Sequence, residues 1–142
     1  MRVITGTARG RRLNELKGKE TRPTADRVKE GMFNIIQFDI EGRRVLDLFG
    51  GTGQLGIECL SRGAAHATFV DARTDAVKLI RENLALTDLA DRAAVLTADY
   101  ATVLSSAAEK YDLVFLDPPY ETKLLERSLE LISQFDILRE HG

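Results

Sequence analysis

Apolar and polar positions along this chain fall into blocks that alternate between strand-like runs and helix-like spacing. The run 45–49, Val-Leu-Asp-Leu-Phe, reads as a strand. It breaks into Gly50-Gly51-Thr52-Gly53 and reopens as a helix over 54–62, stopped by Gly63. Ala67 to Val70 is a second apolar strand ending at Asp71, and Thr74 is placed to cap a helix whose Val77, Ile80 and Leu84 share a face. A third strand spans 93–97, with Ala98-Asp99-Tyr100 and a short helix over 101–108 behind it. A fourth, 112–116, runs into Asp117-Pro118-Pro119-Tyr120, and 124–135 reads as another helix. Upstream, Pro23 biases Arg22 toward extended geometry, and Thr24 is placed to cap a helix carrying Val28, Met32, Ile35 and Ile36 on one face and ending by about Asp39. Residues 1–23 read as short extended pieces with turns, a hairpin arm. Strands separated by helices imply right-handed crossovers, hence an α/β doubly wound parallel sheet with helices on both faces.

Composition fits one globular domain: 142 residues, 44% hydrophobic and 30% charged, leave room for a real core but not for two. Net charge is only −2, yet residues 1–29 carry +6 and the remainder −8. That asymmetry suggests a basic arm for a polyanion (1–23) on an acidic body (24–142), against the plainer alternative of a solvated basic flank. The single cysteine, Cys59, cannot form an intramolecular disulfide and reads as a small packed residue in a reducing compartment. No apolar run reaches the length of a membrane span and no signal-peptide stretch follows Met1, so a cytoplasmic protein is expected.

The glycine turn is where chemistry enters. Glycines at 50, 51 and 53 permit positive φ and close approach of a ligand, and the helix behind them offers unpaired N–H groups. Gly51-Thr52-Gly53-Gln54-Leu55-Gly56 satisfies G-x-G-x-x-G, with Asp71 20 residues beyond Gly51. On that spacing both NAD and S-adenosylmethionine survive, as does a turn that merely packs a helix on a sheet. A P-loop is excluded because no G-K-[ST] follows. Asp47 discriminates by charge: beside the turn it would repel a pyrophosphate but suit the ammonium of a methionine tail. Aspartates stand at or just after the end of each strand, at 47, 71, 99 and 117, on the edge where doubly wound sheets hold ligands. S-adenosylmethionine offers each of the first three a partner: the ammonium for Asp47, the ribose diol for Asp71, the adenine amine for Asp99. The candidate cofactor residues are therefore Asp47, Phe49, Gly51, Gly53, Asp71, Ala72, Asp99 and Tyr100.

Asp117-Pro118-Pro119-Tyr120 is the more specific signal. Two prolines after a strand stop the sheet and stiffen the turn. If the Asp117 carboxylate and Pro118 carbonyl each accept one N–H of a nucleobase amine, its lone pair can point at a methyl donor while Tyr120 stacks on the base. The candidate catalytic set is Asp117, Pro118, Pro119 and Tyr120, with no metal required.

These residues resemble a known family. Asp47 to Gly53 looks like the cofactor motif of class I methyltransferases, and Asp117 to Tyr120 like the motif of their amino-methylating branch, shared with DNA adenine methyltransferases. The start, Ile4 to Arg11 followed by Thr21 to Glu30, is similar to the RsmD-like guanine-N2 methyltransferases of bacterial small-subunit ribosomal RNA. The resemblance implies that Arg22 to Glu30, with Arg22 and Thr24 as the candidate contacts, and the following helix line the methionine end of the cofactor, and that Arg9, Arg11, Arg12, Lys17 and Lys19 grip RNA phosphates, naked or on an assembling particle. Guanine N2 comes from this resemblance alone; a DNA amine methyltransferase is the alternative. Class I sheets have seven strands, so C-terminal strands are expected to be missing from this chain or supplied by a partner, leaving 113–116 as an exposed apolar edge.

Overall fold

The computed structural model describes residues 2–16, 23–117 and 122–142, without the side chains of 23–26 and 122. The elements run α1 (Pro23–Ile36), β1 (Arg44–Leu48), α2 (Gln54–Ser61), β2 (His66–Asp71), α3 (Thr74–Thr87), β3 (Ala93–Thr97), α4 (Tyr100–Ser105), β4 (Leu113–Leu116) and α5 (Thr122–Gln134). The four strands form one parallel sheet in the order β3-β2-β1-β4. The chain thus winds outward from β1 to β3 on one side and returns to β4 on the other. The doubly wound α/β reading holds.

Alternation along β1 splits the core in two. Val45, with Ala67, Phe69 and Phe115, packs against Phe33, Ile57, Leu60, Ile80 and Leu84 from α1, α2 and α3. Leu46 and Leu48, with Val70, pack against Leu104, Leu131 and Ile132 from α4 and α5. Gly63, at φ 101°, ends α2 as expected. β4 does lie at the sheet's edge, but Phe115 is buried and its neighbours are half-buried, because both faces of the strand are covered. Beside its start, Tyr111 pairs with the segment after α5: Tyr111 N–H donates to Ile137 O and Arg139 N–H to Tyr111 O.

Three local expectations need correction. The apolar stripe assigned to α1 is wrong at two positions: Val28 and Ile35 are exposed, and the inward face carries Lys29 and Phe33 with Met32 and Ile36 half-buried. Thr24 stands inside the first turn rather than capping it, since the helix begins at Pro23, whose missing N–H costs nothing there. Thr74 likewise lies inside α3, and the cap position belongs to Arg73, whose N–H donates to Asp71 Oδ1.

The described part of the arm is docked on the body. Arg2 and Arg12 form an antiparallel bridge, and Val3, Ala8 and Leu13 enter the core. Gly6, at φ 91°, lets this segment lie on the end of α2: a Cβ there would fall 1.8 Å from Ser61 O. Thr7 N–H donates to that carbonyl, and Ser61 Oγ accepts from Ala8 N–H while donating to Thr5 O.

Candidate cofactor site

Parallel strands bring their carboxyl ends to one edge, and the reversal of strand order beside β1 opens the crevice where ligands of such sheets sit. Leu48 lies level with Val70 of β2 and Leu116 of β4, so Asp71 and Asp117 stand one position further on each flank of the glycine turn. The turn begins with Phe49 in the left-handed region, φ 65°, a strained backbone for a bulky residue. Its ring meets Tyr100 from the start of α4, with centroids 5.4 Å apart.

The glycines divide their labour. A Cβ on Gly56 would sit 2.3 Å from the Phe69 ring, and one on Gly50 would lie 2.9 Å from Ile80 Cδ1, so these two let helices close on the sheet. Gly51, at φ 61°, would present a Cβ to nothing nearer among the described residues than Phe49 O at 4.0 Å. Among the described residues the space a side chain would take there is open, which suits the close approach of a ligand. Gly53, at φ 82°, starts α2.

Asp47 is buried, and its Oδ2 accepts from Gly56 N–H at 3.1 Å. Burial, offset in part by that hydrogen bond and reinforced by the charges of Asp117 and Asp71, pushes its pKa up to about 7. Among the described residues no cation stands within ion-pair distance of it. Asp71 accepts from Gly51 N–H through Oδ2 (3.1 Å) and from Arg73 N–H through Oδ1 (2.9 Å), with Arg73 Nε 3.5 Å away. It therefore ties the end of β2 to the glycine turn. Asp99 is exposed and caps α4, one oxygen accepting from Ala101 N–H. Ala72 is exposed beside Asp71, and Asp117 is exposed at the end of β4.

Asp47, Phe49, Gly51, Gly53, Asp71, Ala72, Asp99 and Asp117 thus all lie in β1, at the strand ends or in the turns that follow them, and Tyr100 opens α4 just behind Asp99. Arg22, Pro118, Pro119 and Tyr120, the side chain of Thr24, and Lys17 and Lys19 lie outside the described residues. Arg9, Arg11 and Arg12 are exposed, and Arg11 also donates to Leu86 O. Among the described residues no group of three or more His, Cys, Asp or Glu is placed to hold a metal, and no helix is long and apolar enough to cross a membrane.

Two polar groups escaped sequence reasoning. Glu58 is fully buried, and its oxygens accept from Ile4 N–H, Thr5 N–H, Lys29 Nζ and Arg62 Nε. Asn83, equally buried, joins the arm to the glycine turn. Each interrupts the apolar face of a helix, Glu58 between Ile57 and Cys59 and Asn83 beside Leu84; that was the signal available.

The family described as conserved hypothetical protein 95 matches residues 1–142. A candidate rRNA methyltransferase of Bacillus subtilis, YlbH, is 43% identical over the whole chain and 79% of its own length. The ribosomal RNA small subunit methyltransferase D of Haemophilus influenzae is 35% identical over the whole chain and 75% of its length. Among solved structures, the candidate methyltransferase yhhF of Escherichia coli superposes with a TM-score of 0.88 at 36% identity, covering 98% of this chain and 75% of that one.

Proposed function

This chain belongs to the conserved hypothetical protein 95 family, and on that premise we propose that it methylates ribosomal RNA, using S-adenosylmethionine, at the exocyclic N2 amine of a small-subunit guanine. The observation that carries the reading is the set of three carboxylates, Asp47, Asp71 and Asp117, at the carboxyl ends of adjacent strands around a glycine turn in which, among the described residues, the space beside Gly51 Cα is clear. A buried carboxylate with carboxylate neighbours calls for a cationic ligand, and the cofactor has two cationic centres and a ribose diol. The donor set fits.

Bound S-adenosylmethionine supplies an electrophilic methyl group. Asp47 faces its ammonium, Asp71 its ribose hydroxyls, and the Asp99 carboxylate its adenine amine, while Phe49, Gly53, Ala72 and Tyr100 shape the walls and Arg22 and Thr24 close the methionine end. Asp117 accepts one N–H of the guanine amine and the Pro118 carbonyl the other; Pro119 stiffens the turn and Tyr120 stacks on the base, which must leave its helix to enter. As positive charge grows on the attacking nitrogen, the fixed Asp117 carboxylate stabilises it more than it stabilised the neutral amine. Arg9, Arg11, Arg12, Lys17 and Lys19, in the arm 1–23, hold phosphates, positioning the RNA without selecting the base. Ribosomal RNA as substrate makes the cytoplasm the place of action.

The test is to incubate the protein with methyl-labelled cofactor and ribosomal RNA from a strain lacking the activity, digest the RNA and identify the labelled nucleoside. N2-methylguanosine from the small subunit is expected. Label on another atom, or on duplex DNA instead of RNA, overturns the assignment.

A further inference from the structure

The side-chain amide of Asn83, on α3, is fully buried and spends its bonds on two backbone segments that are distant in sequence. Its Oδ1 accepts from Asn14 N–H at 2.7 Å, and its Nδ2 donates to Asn14 O at 3.0 Å and to Thr52 O at 2.9 Å. Asn14 lies near the end of the described part of the basic arm, which runs to residue 16, and Thr52 is the middle of the glycine turn. The amide therefore imitates a strand for the arm with one edge and holds the turn with its remaining hydrogen. One oxygen facing an N–H and one nitrogen facing two carbonyls fix the orientation of the group. No other side chain of this size can do the same: aspartate cannot donate, and leucine can neither donate nor accept.

We infer that Asn83 is a positioning residue that couples RNA engagement by the arm to cofactor binding at the glycine turn. The inference rests on the proposed function and adds a regulation to that same site. An arm drawn toward phosphates carries Asn14 with it, Asn14 holds both polar atoms of the Asn83 amide, and that amide holds the Thr52 carbonyl between Gly51 and Gly53. Coupling of this kind is reciprocal: whatever RNA does to cofactor affinity, cofactor must do to RNA affinity. Nearby anchors make the path stiff. Arg11 donates to Leu86 O on the same helix, whereas Thr87 Oγ1 donates to the backbone Asn83 O at 2.8 Å, outside the side-chain bridge.

The experiment measures the affinity of the demethylated cofactor product, S-adenosylhomocysteine, by calorimetry with and without unmethylated small-subunit ribosomal RNA. In the unaltered protein the two dissociation constants should differ by about fivefold or more, the lower end of ordinary coupling. In Asn83→Ala that ratio should fall toward one, whereas Thr87→Val, which loosens the same helix turn without touching the bridge, should keep it. A ratio preserved in Asn83→Ala makes the residue merely structural and overturns the inference. Should Asn83→Ala not fold, hydrogen exchange in the unaltered protein decides: adding RNA without cofactor should alter exchange at the amides of residues 51–53, and unchanged exchange there overturns the proposal. Failure of the product to bind under any condition would instead sink the proposed function itself.

Discussion

Two buried carboxylates lie within reach of α2, and the protein treats them in opposite ways. Glu58 has all four of its lone-pair directions occupied: two backbone N–H groups of the arm, the Lys29 amine at 3.3 Å and the Arg62 Nε at 2.9 Å. Arg62 is held in turn over the Phe33 ring. Asp47, 11 residues earlier, has the Gly56 N–H on one oxygen and two other carboxylates for neighbours. A charge that is paired at every lone pair is architecture, here riveting the arm and α1 to α2. A charge kept short of cations is held for something that arrives later. The difference separates what the fold uses from what the site offers, and each of the following predictions strains it.

The largest effect is expected at Glu58. Glu58→Ala removes the buried carboxylate that Lys29, Arg62 and two arm amides share, and should cost about 3–5 kcal/mol in urea unfolding. A loss below about 1 kcal/mol would mean that the pairing is decorative and the contrast with Asp47 empty. Next comes Asp117→Ala, which removes the acceptor proposed for the base amine. Turnover should drop by about 10²–10³-fold, the scale of losing one electrostatic stabiliser, with cofactor affinity nearly unchanged. Asp71→Ala should do the reverse, weakening cofactor binding by about tenfold, on the order of 1.4 kcal/mol, through the lost anchor on Gly51 N–H. Equal loss of cofactor binding in the two variants would refute the division of roles.

How much of this could be read from the chain follows from the same contrast. The four strands were legible because their apolar runs are bounded by glycine, proline and aspartate, and a parallel sheet must bring every strand's carboxyl end to one edge. The aspartates there needed no contact information to be grouped. Periodicity failed on α1 because it counts Lys29 as polar and outward, when its amine reaches Glu58 and its stem is buried, while Val28 and Ile35 are left in solvent. Nothing local says that Glu58 will find cations from α1 and from its own helix. The docking of the arm was equally hidden, since it depends on Gly6 meeting Ser61 across 55 residues. Asp99 shows the opposite limit: a strand-end aspartate is also a helix cap, and the structure gives it that task.

The last expected effect is the sharpest on Asp47. Its carboxyl, ordinarily titrating at 3.8, is pushed up to about 7 by burial and by Asp117 and Asp71, so between those values the folded protein holds a proton that the unfolded chain has released. Stability must therefore fall as pH rises through this window, and the full penalty is present above it. Asn at this position still offers an oxygen to Gly56 N–H and has no charge to desolvate. Asp47→Asn should match the unaltered protein near pH 4 and exceed it at pH 8 by about 1–3 kcal/mol, the order of an imperfectly compensated buried polar group, with a flatter stability profile between. The same variant should bind cofactor more weakly, having lost the charge proposed to face the ammonium. A stability gain joined to an affinity loss identifies a carboxylate maintained for its ligand; a stability loss at pH 8 would place Asp47 beside Glu58 as a structural charge.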